Sequence, residues 1–129
     1  MIAYKVINII GGGRKSFWLS QHINTYAYAL DYPVDKTVVA PKGSLGIMAF
    51  TDKRLAQSYI DRCPQRNAFP KIIKVRCGQR MKQRKIIASF PRKIARFLKN
   101  ISLTDKQSDY FYSDPPKGTI FLRSCTPLE

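Results

Sequence analysis

Ile2 to Ile10 is rich in β-branched and aromatic side chains and runs directly into Gly11-Gly12-Gly13. A stretch of this kind favours an extended, pleated conformation, and glycines supply the positive backbone angles of a tight return. Strand, glycine turn and a second strand over Ser16-Phe17-Trp18-Leu19 is the expected opening. The rest of the chain repeats the theme. Tyr26, Tyr28 and Leu30 alternate with small residues, and Asp31-Tyr32-Pro33-Val34-Asp35 reads as a turn. Thr37 to Ala40 and Gly46 to Phe50 read as short strands on either side of Pro41-Lys42-Gly43. From Lys71 to Cys77, basic and apolar residues alternate around Ile73 and Val75, the pattern of a half-exposed strand. Ile86-Ile87-Ala88 and Thr119 to Cys125 complete the set, the latter as one last strand.

Two segments have helical spacing instead. Thr51 and Asp52 offer a hydroxyl cap and a first-turn acid, followed by Leu55, Ala56, Tyr59 and Ile60 on one face and by Pro64 as the limit. Pro91 opens a second helix, with Ile94, Phe97, Leu98 and Ile101 on one face and Arg92, Lys93, Arg96 and Lys99 on the other. The expected architecture is an α+β fold in a single domain over residues 1–129: a mainly antiparallel sheet with two short helices packed on one side. Pro41-Lys42-Gly43 and Pro116-Lys117-Gly118 share turn chemistry. Pro at the second turn position and Gly at the fourth suit a type I turn entering a strand.

Charge is distributed unevenly. The chain carries 23 Lys and Arg against 8 Asp and Glu, a net +15, and thirteen of the cations fall between Arg62 and Thr104 with no acid among them. Concentrating like charge costs stability unless counterions or a partner neutralise it. Lys71, Lys74 and Arg76 lie on the expected strand, and their alternation with apolar residues could present them on one face. Arg80, Lys82, Arg84 and Lys85 crowd a loop or hairpin tip, and Arg92, Lys93, Arg96 and Lys99 line the second helix. Consecutive strand, loop and helix can present one basic surface to nucleic acid or another polyanion, since phosphate contacts need no strict sequence motif. A solvated basic face is the plain alternative. An acidic host protein, met through complementary charge, is another. A third is a nucleotide sponge, using the glycine turn and the rings of Tyr110-Phe111-Tyr112, a stretch whose polar neighbours could leave it partly exposed but which reads first as core and edge of a strand.

Other chemistry is sparse. Gly11-Gly12-Gly13-Arg14-Lys15-Ser16 lacks the spacing of a phosphate loop, yet Arg14, Lys15 and Ser16 form a candidate second anion site at a hairpin tip. His22 is the single histidine and Glu129 the single glutamate, so no metal site or cofactor motif is expected and catalytic material is scarce; a small nucleotide-using enzyme, gathering Arg14, Ser16, a tyrosine and an acid in a cleft, is the remaining alternative. Cys63, Cys77 and Cys125 are an odd number at wide spacing, which reads as reduced, buried thiols in the cytoplasm; nearby cations could also activate Cys63 or Cys77. No apolar run is long enough to span a bilayer, and the first residues lack the pattern of a secretory signal.

Tyr4-Lys5-Val6, Arg14 and Ser16, Ala40-Pro41-Lys42-Gly43-Ser44-Leu45-Gly46-Ile47 leading to Phe50, the helix around Ala56, Ile73-Lys74-Val75 and Pro116-Lys117-Gly118-Thr119 follow one another in an order that resembles small accessory proteins of phages and mobile elements. That resemblance implies a shared α+β fold and, for a phage-encoded chain, the host cytoplasm; it implies no catalytic residues. The expectation is a non-enzymatic basic protein that binds nucleic acid.

Overall fold

The computed structural model describes residues 1–17, 19–21, 29–42, 44–63, 68–83, 86–87 and 112–129. Strand β1 (Ile2–Ile10) turns through Gly11 and Gly12, both with positive φ, into β2 (Gly13–Ser16), with Ile10 opposite Gly13. This two-residue hairpin is the expected one. Its second strand lies earlier than Ser16 to Leu19, because Phe17 leaves the ladder to pack in the core beside the ring of Tyr59. A short 3₁₀ turn, Leu19–Gln21, follows.

The remaining strands are β3 (Val38–Val39), β4 (Ile47–Phe50), β5 (Pro70–Cys77), β6 (Arg80–Met81), β7 (Ile86–Ile87), β8 (Tyr112–Ser113), β9 (Thr119–Leu122) and β10 (Ser124–Pro127). Every ladder among the described residues is antiparallel. β1 pairs with β5 from Ile2↔Arg76 to Asn8↔Pro70, and its other edge meets β2 and, at Tyr4↔Phe50, β4. β4 pairs with β9, β10 pairs with β5, and β6 pairs with β9. Since β5 runs into β6 and β9 runs into β10, the circuit of paired strands returns on itself. The closure bends the expected last strand at Arg123 and divides it into β9 and β10. β3 lies at the outer edge of β10, and β7 and β8 form a separate two-stranded ladder.

Two apolar clusters follow from the period-two alternation of strands. Ala3, Ile7, Ile47, Ala49, Ile73, Val75, Ile120, Leu122 and Cys125 point to one side, where Tyr32 joins them. Val6 and Phe50 point to the other, against α1 (Lys53–Arg62) through Ala56 and Ile60, with Tyr4, Leu55, Tyr59 and Ile72 at the margin. The apolar face of α1 is thus the expected one. Its cap is Asp52 rather than Thr51: the Asp52 carboxylate accepts the Arg54 backbone N–H at 2.7 Å, while the Thr51 N–H donates to the Gly118 carbonyl. The architecture is α+β, with one helix packed on the antiparallel sheet among the described residues. The second expected helix, Pro91 to Ile101, lies outside the described residues, as does the alternating stretch at Tyr26 and Tyr28.

The repeated Pro-Lys-Gly turns are related, but their register differs from a type I turn with Pro second. The Ser44 N–H donates to the Pro41 carbonyl and the Thr119 N–H to the Pro116 carbonyl, so each bond closes from its Pro rather than from the residue before it. Gly118 has φ +83°, the value that the third position of a type II turn requires. A side chain there would also run into Leu55 of α1.

Candidate nucleic-acid interface

β5 presents its cations because its apolar residues are claimed by the two cores. Ile73 and Val75 belong to one cluster and Ile72 packs at the other, leaving Lys71, Lys74 and Arg76 exposed. Period two divides them. Lys74 and Arg76 lie opposite Tyr4 and Ile2, on the side of α1, whereas Lys71 lies opposite Ile7 on the other side. The strand therefore offers cations on both faces rather than in a single row.

At its far end β5 reaches a corner. The Gly78 N–H donates to the Ser124 carbonyl (2.9 Å) and the Arg123 N–H to the Gln79 carbonyl (2.8 Å), while Arg76 faces Thr126 and Arg80 faces Leu122 in the ladders. The backbones of Arg76, Arg80 and Arg123 thus meet at one bend of the sheet, Arg76 on the side of Thr126 and Arg80 on the side of Leu122, and Lys82 follows just beyond it. All four cations are exposed. Arg123 escapes a reading by sequence runs, since it lies outside the acid-free segment; strand pairing brings it there. Lys71, Lys74, Arg76, Arg80, Lys82 and Arg123 form no ion pair among the described residues, where the two salt bridges are Lys15–Asp31 and Arg54–Asp52. Glu129 approaches β5, its Oε1 accepting the Lys74 backbone N–H at 3.1 Å. Arg84, Lys85, Arg92, Lys93, Arg96 and Lys99 lie outside the described residues.

The candidate second anion site is already occupied by its own neighbours. Arg14 donates through Nε to the Tyr32 carbonyl (2.8 Å) and through a terminal nitrogen to Glu129. Lys15 forms a 2.8 Å salt bridge with Asp31, and the Ser16 hydroxyl accepts the Leu30 N–H at 2.8 Å. The three residues sit along β2, with Lys15 on the opposite side from Arg14 and Ser16, rather than around the glycine tip.

The thiols are not activated. Burial pushes Cys63 and Cys77 above the ordinary thiol range, outweighing Arg62 and Arg80, which pull the other way. Burial also pushes Cys125 up to about 11, although Lys5 opposes it. Among the described residues no group of three potential metal ligands occurs, and none of the helices is long and apolar enough to cross a membrane. His22 lies outside the described residues.

One of the buried polar groups is a cation that strand alternation alone does not flag. Lys5 is 7% exposed and points into the first core, its ammonium 5.2 Å from the centre of the Tyr32 ring. Burial pushes its pKa down to about 8, with Cys125 acting in the opposite direction. Burial raises the Tyr32 phenol well beyond its usual range, while the Ser16 hydroxyl lowers it and Cys125 adds to the rise.

Comparison with protein-family models, with curated proteins and with solved structures finds no match for this chain. The functional reading rests on its own residues.

Proposed function

We propose that the protein is a non-enzymatic nucleic-acid-binding protein whose exposed cations contact backbone phosphates. The observation that carries this reading is the set Lys71, Lys74, Arg76, Arg80, Lys82 and Arg123, exposed and without ion pairs among the described residues. These residues sit within or beside a segment of thirteen cations and no acid. Intramolecular partners would cancel such charge; a phosphate backbone supplies what is missing, one charge per ~1.7 Å of duplex. The Arg76–Arg80–Arg123 corner is the fixed part of the surface, because both of its edges are held by backbone hydrogen bonds.

Replacing Arg76, Arg80 and Arg123 together by alanine tests it. Each phosphate left without its cation takes roughly 0.9 off the log–log salt slope of binding, so the slope of the triple variant should be shallower by up to about 3. Alanine at the exposed Lys53 of α1 is the control and should leave the slope unchanged. An unchanged slope in the triple variant would exclude the corner. A partner recovered equally well from nuclease-treated and untreated lysate would instead favour an acidic protein over nucleic acid.

A further inference from the structure

The exposed apolar residues include one aromatic ring that the fold holds outward. Phe69 is 69% exposed, yet its backbone is tied on both sides. Its N–H donates to Asn8 Oδ1 at 2.7 Å, and its carbonyl accepts the Ile9 N–H at 3.0 Å. Asn8 is itself buried and held by Ser20, its Nδ2 donating to the hydroxyl at 2.9 Å. Burying a polar side chain to fix the residue that displays a bare ring makes an anchored platform, not a loose loop tip.

The surroundings of the ring follow from register. The Ile9–Phe69 hydrogen bond carries the β1–β5 pairing one step past Asn8↔Pro70, so Phe69 stands opposite Ile9, which is also exposed. Cross-strand partners share a side, and so do residues two apart on one strand. Lys71 therefore projects on the same side as Phe69. Arg14, opposite Ile9 on β2, completes the row, with two of its donors already committed to Tyr32 and Glu129. Lys71 is exposed and makes no ion pair among the described residues. A fixed ring with a lysine two residues away on the same side puts a stacking surface beside a cation.

We propose that Phe69 stacks on an unpaired base while Lys71 meets the adjoining phosphate, so that the protein prefers single-stranded to duplex nucleic acid. This rests on the nucleic-acid reading and narrows it. Stacking needs a base face, which a duplex hides within its own stack, whereas phosphate contacts alone would serve both forms. Charge complementarity selects this occupant over an apolar peptide, because the ring lies inside the acid-free segment and beside Lys71.

Fluorescence anisotropy with a labelled mixed-sequence DNA 20-mer, single-stranded or annealed to its complement, at ~50 mM salt separates the outcomes. The whole chain should bind the single strand more tightly. Phe69→Ala should weaken single-strand binding by about 5- to 100-fold and leave duplex binding unaltered, and Phe69→Tyr should restore it. Thermal melting of each variant establishes that it is folded; an exposed ring should shift the midpoint little. Equal single-strand affinity for Phe69→Ala and the parent would overturn the stacking role while leaving the cationic surface standing. A dimer that Phe69→Ala abolishes would assign the ring to self-association and overturn the role as well. If the parent chain binds neither form, the nucleic-acid reading itself fails and this inference with it.

Discussion

Replacing Lys5 with methionine is expected to stabilise the folded chain by about 3 kcal/mol at pH 7, an unusual sign for a core substitution. The ammonium is buried beside Ile73, Tyr32 and Cys125, with no carboxylate or hydrogen-bond partner among the described residues; the face of the Tyr32 ring and Cys125 offset only part of its burial. Its pKa falls from 10.5 to about 8 on folding. The unfolded chain thus binds this proton more tightly than the folded one, and each unit of difference is worth 1.36 kcal/mol. The penalty is fully present below pH 8. It fades as pH rises from about 8 to 10.5, where the unfolded lysine also loses its proton. Methionine has similar length and no charge, so the gain from Lys5→Met should shrink across the same window. Cys125, raised to about 11, contributes the opposite slope; losing the Lys5 cation pushes this thiol further up, so the parent–variant difference is read most cleanly below pH 9, where the thiol keeps its proton in both states. Urea unfolding of parent and variant at pH 7 and just below pH 9 measures both values. Destabilisation by Lys5→Met at pH 7 would mean that the ammonium has a partner worth more than its burial costs.

Phe50→Ala should cost about 3–5 kcal/mol, a large part of the ~5–15 kcal/mol that holds a domain of this size together. Phe50 is 1% exposed and lies where β4 meets β1, opposite Tyr4. Its ring is 5.4 Å from that of Tyr59, and it shares a cluster with Val6, Phe17, Ala56 and Ile60. Removing it opens a cavity under α1 and loosens the one strand contact that joins β1 to β4. The urea midpoint should drop while the slope holds, if the same surface is exposed on unfolding. Phe50→Leu should recover more than half of the loss, since it refills much of the space. A cost below ~1 kcal/mol for Phe50→Ala would show that α1 docks independently of this ring.

Local pattern made β5 legible. Its alternation is short-range, and the structure keeps it: Ile73 and Val75 inward, Lys74 and Arg76 outward. The apolar face of α1 was legible for the same reason, although the cap moved by one residue because the Thr51 backbone is drawn to the Gly118 turn. What could not be read depends on partners distant in sequence. The break at Arg123 comes from the strand circuit closing on itself, and only that closure brings Arg123 to Arg76 and Arg80. The side chains of Arg14, Lys15 and Ser16 are engaged by Tyr32, Glu129, Asp31 and Leu30, partners that the spacing within the chain does not reveal. Lys5 is a different case. It shares strand parity with the inward-facing Ala3 and Ile7, so a signal existed, but a lone lysine in an apolar strand reads as a solvated one until the strand's far side is known to be covered. Phe69 precedes a proline at a strand end, a position where exposure cannot be inferred without the Asn8 tie.

The nucleic-acid assignment stands or falls on electrostatics. A salt series for the whole chain on a defined duplex, from ~50 to 200 mM, tests it most directly. Five or six phosphate contacts require a log–log slope of about −5, which is a loss of roughly a thousandfold in affinity across that range. A slope near zero, or no binding at ~50 mM salt to either duplex or single strand, would contradict it.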